Sequence, residues 1–366
     1  MVGDQVKIGY SFWGFLGPGI LDTPDGGRSH RQPLVDGIAA AGHEVLFLQE
    51  NRDLHEAGLD LRDRYLWCAG LPPLDALFLE WRWPIPGRNT TPRGTPGHTP
   101  DLHRQDELLA HYAVAQGVPT VVWDKDRRLA RNHRLRRRVN VGICEPALRP
   151  TRGATSLLFP VADASLDSAD PIALTVTRRG LPLVYVGNQY DRDEPFDTFF
   201  APAAARFSHR VAGKWTRTAT WPHVKFTGRC AFGEVAAVYR SSLATVLLLP
   251  ERYARAAQMT QRLFEAVLAG CLPITPARIR RCGDFAPPEL HVEDGVQVIE
   301  RIEQLLAVAG TPAHADLLAG CIRRLDRFRL SRQIETLTTL LADLVSHPRR
   351  RTSGTVTPRT EMGNQR

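Results

Sequence analysis

Several signatures are missing from this chain, and each absence excludes something. There is no CxxC pair, no Cys/His grouping with zinc-ligand spacing and no GxGxxG string. A structural zinc site and a dinucleotide fingerprint are therefore not expected. No apolar run approaches the ~20 residues that a membrane span needs. The first residues, Met1 to Lys7, carry no basic region ahead of a long apolar stretch, so no signal peptide is expected and a cytoplasmic location follows. The six cysteines, Cys68, Cys144, Cys230, Cys271, Cys282 and Cys321, read as reduced and mostly buried.

What the sequence does have is the composition of a globular protein, with 43% hydrophobic and 23% charged residues, and enough length at 366 residues for two ordinary α/β domains. The net charge is +8, and most of the basic residues are arginines. Part of the excess lies in the tail, where Arg349, Arg350, Arg351, Arg359 and Arg366 face only Glu361. Another part is the run from Arg127 to Arg138. Such a surface attracts nucleic acid or an acidic membrane; solvated charge combined with a coding bias toward arginine gives the same composition.

Strand and helix signals alternate along the first half. Val6–Tyr10 is an apolar strand that runs into a turn-rich loop, Gly14–Gly19. A helix is expected over 31–41, then strands over 43–48 and 74–79. Residues 84–100 are rich in Pro, Gly and Thr and read as an exposed loop. A helix over 101–116 leads to a strand over 119–123, and 139–144 reads as one more. Strands separated by helix-length segments imply βαβ units and parallel sheets. A Pro- and Gly-rich seam over 146–182 follows.

The alternation then restarts, with strands at 183–186, 209–212, 224–228, 244–249 and 272–275 and helices at 196–207, 232–241, 260–269 and 295–307. These boundaries give a first domain over 1–160, a linker over 161–182, a second domain over 183–314, a helical segment over 315–347 and a basic tail over 348–366, expected to be disordered.

The most informative segment is Phe226 to Thr275. It contains Phe226-Thr227-Gly228-Arg229, a strand Thr245–Pro250, then Gln258-Met259-Thr260-Gln261-Arg262-Leu263-Phe264-Glu265-Ala266 and Ala269-Gly270-Cys271-Leu272-Pro273-Ile274. On these residues the chain resembles the donor domain of GT-B glycosyltransferases, in particular group 1 families similar to spore-maturation-type enzymes. The resemblance implies two Rossmann-like domains facing each other across a cleft. It implies a nucleotide-sugar donor, such as a UDP-sugar, whose diphosphate meets the loop before the R-x-x-E-A-x-x-x-G helix. Arg262 and Glu265 match that motif, with the glutamate on the ribose hydroxyls.

Physical chemistry agrees with the assignment. A helix start offers unpaired N–H groups and a favourable dipole to a diphosphate, and Met259, Thr260 and Gln261 stand there, with Thr260 as the expected N-cap. A carboxylate can accept from two adjacent hydroxyls. The plain alternative is an amphipathic helix with an ordinary i, i+3 charged pair. Gln258 stands seven positions before Glu265, where many relatives carry a second acidic residue. An amide bonds a sugar hydroxyl but cannot stabilise positive charge.

The remaining candidates lie at the carboxyl ends of expected strands, where α/β ligands bind. Gly187, Asn188 and Arg192 follow the first strand of the second domain; the resemblance implies that Arg192 and Lys214 reach the diphosphate, and Gly228 closes a turn nearby. In the first domain, Gly17 belongs to the loop after the first strand. That loop faces the donor in GT-B enzymes, which makes Asp25 and His30 candidate bases for the acceptor hydroxyl. Asp124 is another. Trp81, Arg82, Trp83 and Lys125 are candidate acceptor contacts, the tryptophans by stacking. Packing of a loop accounts for the same tryptophans.

Asp124-Lys125-Asp126 and Asp191-Arg192-Asp193 read as DxD strings, but no metal is expected to be required, and no cofactor. The acceptor stays open at this point. The basic excess is compatible with hydroxymethylated DNA, and phage DNA glucosyltransferases share the architecture. A cell-envelope, protein or small-molecule acceptor, a nucleotide-sugar epimerase of the same fold and a non-catalytic binder are the alternatives.

Overall fold

The computed structural model describes residues 5–19, 27–86, 89–92, 95 and 101–346. Asp25 and the tail beyond residue 346 lie outside the described residues. The first sheet comprises β1 (Lys7–Ser11), β2 (Glu44–Phe47), β3 (Leu66–Trp67), β4 (Ala76–Glu80), β5 (Thr120–Trp123), β6 (Val141–Glu145) and β7 (Thr155–Ser156). Its spatial order is β3-β2-β1-β4-β5-β6-β7, and every pairing is parallel. The second sheet comprises β8 (Leu181–Val186), β9 (His209–Ala212), β10 (Ser242–Val246), β11 (Leu272–Pro276) and β12 (His291–Val292). It is also parallel, in the order β12-β11-β10-β8-β9.

The sequence explains why these sheets are parallel and covered. Strands β4, β5, β10 and β11 are buried at every position, which suits continuous runs such as Ala76-Leu77-Phe78-Leu79 rather than alternation. In each sheet the strand order reverses once, between β1 and β4 and between β8 and β10. Ligands of doubly wound sheets bind outside the carboxyl ends of strands at such switch points. The loops that carry the candidate residues leave from those ends.

Several expected boundaries shift. The two-residue strands β3, β7 and β12 are too short to leave a periodic signal. The helix expected over 196–207 starts with a widened π turn, Phe196–Phe200, before Ala201–Arg206. The helical segment assigned to 315–347 is not one unit. Pro312–Leu325 packs on the second domain, a short turn at Asp326–Phe328 intervenes, and Leu330–Ser346 returns to the first domain. There it lies against the helix Arg28–Ala40, where Leu330 fills the space a Cβ on Gly37 would need. Leu340 does the same at Gly142. The Val161 amide donates to Phe328 and its carbonyl accepts from Leu330 at 2.7 and 2.8 Å, so the linker and the returning chain are joined by one parallel β-bridge. Within the 161–182 linker stand two short helices, Asp163–Asp167 and Pro171–Thr175.

At the carboxyl end of β4, the centre of the first sheet, a carboxylate is buried. Glu80 is 1% exposed. Its Oε1 accepts from the Tyr10 hydroxyl at 2.7 Å and Arg31 Nε at 2.9 Å. Its Oε2 takes Arg31 Nη2 at 2.7 Å and Lys125 Nζ at 2.6 Å. Burial alone would raise this carboxyl, but the two cations outweigh it and hold it well below the usual carboxylate range. Arg31 spends its other donors on the carbonyls of Trp13 and Phe15, each at 3.1 Å. One acidic residue thus fixes β1, the loop after it, the helix Arg28–Ala40 and the turn after β5.

Removing one partner from such a cluster leaves buried charge uncompensated. Glu80→Gln is expected to destabilise the fold by about 3–5 kcal/mol, read as a shift of the denaturant midpoint. Combining it with Lys125→Met removes the stranded ammonium and is expected to recover part of the loss. A single variant as stable as the parent would show that the cluster contributes nothing.

Candidate functional site

The facing carboxyl ends of the two sheets enclose a cleft of about 570 Å³. The second domain supplies most of its polar lining. After β8 the chain passes through Gly187, whose Cβ, if present, would lie 2.3 Å from Arg262 Nε. Glycine therefore leaves the passage through which the Arg262 guanidinium reaches the Val186 carbonyl, at 2.5 Å. The same guanidinium lies over the Tyr185 ring, 5.7 Å from its centroid. Asn188 Oδ1 accepts from the Lys214 amide at 2.8 Å, which ties the loop after β8 to the loop after β9 and leaves the Lys214 side chain at the rim.

Arg192 lines the cleft but is almost fully buried. It donates to the carbonyls of Tyr190 at 2.6 Å and Leu248 at 3.1 Å, so it fastens the loop to β10 from within. Burial lowers its pKa.

The helix carrying Arg262 and Glu265 spans Arg262–Leu268, with Gln261, not Thr260, at its N-cap position and no side-chain cap. Thr260 and Gln261 line the cleft, whereas Met259 is 1% exposed and belongs to the core. Glu265 is half-buried on the cleft wall. Burial raises its pKa, against the opposing influence of the Ser29 hydroxyl from the other domain and Arg262. A carboxylate held this way is poorly solvated and ready to accept hydrogen bonds.

Gln258 is fully buried, and its Nε2 donates to the Lys125 carbonyl of the first domain at 2.7 Å. Its Oε1 is buried and has no partner among the described residues, while the residue itself lines the cleft.

The first domain contributes Arg28, His30, Trp83 and Lys125. His30 is 2% exposed and wedged between Phe159, at 4.3 Å between ring centroids, and the edge of Trp123, at 5.4 Å. Burial, then Lys125, lowers its pKa well below the ordinary value, so it is a neutral imidazole at neutral pH. Neither ring nitrogen has a hydrogen-bond partner among the described residues. Trp83 stands at the cleft edge against Trp13, with ring centroids 5.5 Å apart.

Four expected residues lie elsewhere. The Gly17 amide donates to Asp53 Oδ1 at 2.8 Å, and a Cβ there would strike Leu59, so its backbone is spent on the short helix Arg52–Ala57 after β2 and the residues behind it. Gly228 supports the turn after β9, its carbonyl accepting from the Gly213 amide at 2.7 Å. Trp81 turns away and packs edge-on to His133. Arg82 is 1% exposed and braces the β1 end through Ser11 Oγ at 2.9 Å.

Asp124 does not line the cleft either. Its two oxygens accept from the Arg128 and Leu129 amides at 2.9 and 2.8 Å, the work of a turn-former rather than of a base. The Arg127–Arg138 run is also partly spent: Arg127 and Arg136 hold the buried Glu145, and Arg138 donates to the Ala113 carbonyl at 3.1 Å.

The expectations missed the residues that join the domains. Arg252 Nη1 donates to Asp191 at 2.5 Å and its Nε to the Asp126 carbonyl at 3.0 Å. Tyr253 bonds the Asp126 carboxylate, and Arg128 reaches Asp191 and Tyr190. Glu80 and Arg31 were missed as well. An acidic residue closing an otherwise apolar strand was the available signal for Glu80. Among the described residues no group of three His, Cys, Asp or Glu side chains gathers in metal-binding range. Both DxD strings are engaged in these turn and interdomain contacts.

Comparison with known proteins adds an independent line. Residues 192–339 match the family model described as glycosyl transferase-like. No curated protein matches the chain by sequence. Among solved structures, T4 phage BGT in complex with UDP and Mn2+ superposes with a TM-score of 0.60 at 12% identity, over 92% of this chain and 99% of that one. AviGT4, a glycosyltransferase involved in avilamycin A biosynthesis, gives 0.55 at 13% identity over 93% and 98%. Anabaena Alr3699/HepE in complex with UDP-glucose gives 0.52 at 9% over 92% and 100%. The fold is GT-B, and the chain resembles GT-B glycosyltransferases, phage DNA glucosyltransferases among them.

Burial pushes the Asp124 carboxyl up to about 6. The folded chain then holds this proton more tightly than the unfolded chain does, so the contribution to stability declines as pH rises from about 4 to 6. Asp124→Asn keeps one of the two acceptors, so it is expected to lower stability overall and to flatten that decline relative to the parent in thermal melts across the interval. Parallel pH profiles for the two proteins would show that the carboxyl is not so placed.

Proposed function

We propose that this protein transfers a sugar from a nucleoside-diphosphate donor, a UDP-sugar, to an acceptor hydroxyl on a hydroxymethylated base in DNA. The observation that supports this most is the cleft wall made by Gly187, Lys214, Arg262 and Glu265, the last three inside the segment that matches the glycosyl transferase-like model. On this reading the diphosphate lies by Arg262 and Lys214, and Glu265 accepts from the two ribose hydroxyls. Trp83 stacks on the acceptor, and the unpartnered Oε1 of Gln258 accepts from a sugar hydroxyl.

The acceptor oxygen attacks the anomeric carbon as the bond to the diphosphate breaks. Neutral His30 takes the acceptor's proton, and the fixed cations take up the charge on the leaving group. Asp25 is the competing base. These cations supply the charge neutralisation without a required metal or other cofactor, so chelation by EDTA is expected to leave turnover unchanged. Loss of turnover restored by Mn2+ would reverse that.

The DNA acceptor draws on the shared architecture with T4 phage beta-glucosyltransferase, described as a DNA modifying enzyme. No helix among the described residues is long and apolar enough to cross a membrane, and we place the protein in the cytoplasm. Transfer to a small-molecule, envelope or protein acceptor is the second reading. It is favoured by the partial internal use of the Arg127–Arg138 run.

UDP release from UDP-glucose, with and without hydroxymethylated duplex, tests the activity and the acceptor together. Glu265→Ala is expected to raise the donor KM by roughly 10- to 100-fold with little change in kcat, the loss of charged hydrogen bonds of about 1.5–3 kcal/mol. An unchanged KM removes the ribose assignment. His30→Asn is expected to lower kcat by about 10²–10⁴-fold. Full rate in His30→Asn together with a comparable fall in Asp25→Asn would move the base to Asp25.

A further inference from the structure

A second concavity, about 800 Å³, opens beside the donor cleft where the turns after β5 and β6 meet the helix Glu251–Ala256. The chain divides the two spaces at a single turn: Lys125 and Asp126 line the cleft, whereas Asp124 and Arg127 line the groove. Arg252 and Tyr253, bound to Asp126, form the partition. The groove is walled by arginines from both domains.

Every carboxylate on it already has partners. Asp124 faces two amides. Glu145 is held by Arg127, by Arg136 at 3.0 Å and by the Thr151 amide at 2.9 Å. Glu251 is paired with Arg255 at 2.5 Å. The guanidinium groups of Arg131, Arg149, Arg152 and Arg280, by contrast, are exposed and have no hydrogen-bond or ion-pair partner among the described residues. The groove therefore carries uncompensated positive charge on a floor that the Glu145 cluster makes rigid.

We propose that this groove docks the phosphodiester backbone of a nucleic acid strand, outside the site of sugar transfer. Guanidinium forks match phosphate oxygens in pairs. The four unspent arginines are exposed and come from separate stretches of both domains. All four line the same groove and are exposed rather than buried, which fits the phosphates of a strand better than a single enclosed small anion. Position adds to this: a strand held here lies against the turn whose other side, Lys125 and Asp126, lines the transfer cleft. The groove would then supply register and affinity without reading sequence, as backbone contacts do. The inference rests on the DNA-acceptor reading for the source of the phosphates and not for the existence of the site.

The experiment uses the full chain, a fluorescein-labelled hydroxymethylated duplex and the triple variant Arg149→Gln/Arg152→Gln/Arg280→Gln. Anisotropy titrations over a salt series are expected to show the parent binding with a steep salt dependence. In the variant binding is expected to weaken by roughly tenfold or more, with the slope of log K against log salt reduced by about two to three, roughly one for each phosphate no longer neutralised. UDP-glucose hydrolysis without DNA is expected to be unchanged, since none of the three residues lines the donor cleft, and this also certifies the variant's fold.

Equal affinity and slope in parent and variant would overturn the inference, as would failure of the parent to bind the duplex at low salt. Displacement of the duplex by inorganic tripolyphosphate at equal phosphate concentration would overturn it in favour of a small-anion site. The two readings separate cleanly. Groove-dependent binding without sugar transfer removes the DNA acceptor and keeps the groove; transfer to DNA with a KM unaffected by the triple substitution removes the groove and keeps the acceptor.

Discussion

The buried carboxylate of Glu80 is the constraint on which the cleft depends. A charge at the centre of a parallel sheet is tolerated only when its lone pairs are filled and its charge is matched, and here two cations and a phenol do both. Each partner is drawn from a different part of the first domain. Arg31 fixes the helix that carries Arg28 and His30, Tyr10 fixes β1, and Lys125 fixes the turn after β5. Burial first, and then the Lys125 charge, lower the His30 pKa well below the ordinary value.

From Lys125 the constraint passes to the second domain. Its carbonyl accepts from Gln258, and its neighbour Asp126 binds Arg252 and Tyr253. Short backbone pairing of Leu148 and Arg149 with Ala257 and Ala256, at 3.1 and 3.0 Å, adds to it. The helix Leu330–Ser346 crosses back and packs beside Arg28–Ala40. The domains are therefore joined on both sides of the cleft.

Much of this was legible in the sequence. Apolar runs of four to six residues at helix-length spacing give two parallel sheets, because strands buried on both faces must be apolar throughout. The Arg262–Glu265 segment was readable because a short motif sits between two such strands. What could not be read has identifiable causes. Two-residue strands carry no period. The split of the C-terminal helical stretch at Asp326–Phe328 is a tertiary event, since both helices keep the same amphipathic pattern. Asp124 and Gly17 looked like site residues because they follow strands, yet Asp124 caps its own turn and Gly17 is tied to Asp53 on a neighbouring helix: carboxylates and glycines serve structure and ligands with the same chemistry. Arg192 was placed at the right loop, but whether an arginine faces a ligand or a carbonyl is decided by backbone far away in sequence, here Leu248.

That last ambiguity also explains the distribution of arginine in the whole chain. A composition rich in arginine does not say how much positive charge is available to a partner, because a guanidinium with five donors is also a convenient filler of backbone carbonyls. Arg31, Arg82, Arg179, Arg192 and Arg262 all donate to main-chain oxygens. Arg127 and Arg136 neutralise Glu145. Charge that acts on a partner is what remains after those uses, and in this fold part of the remainder collects where the two domains meet beside the cleft. A bilobed architecture makes this concentration natural. The junction is where loops from two sheets converge, and the order within those loops has already been secured by other ion pairs, so the remaining arginines can face solvent without loosening the structure around them.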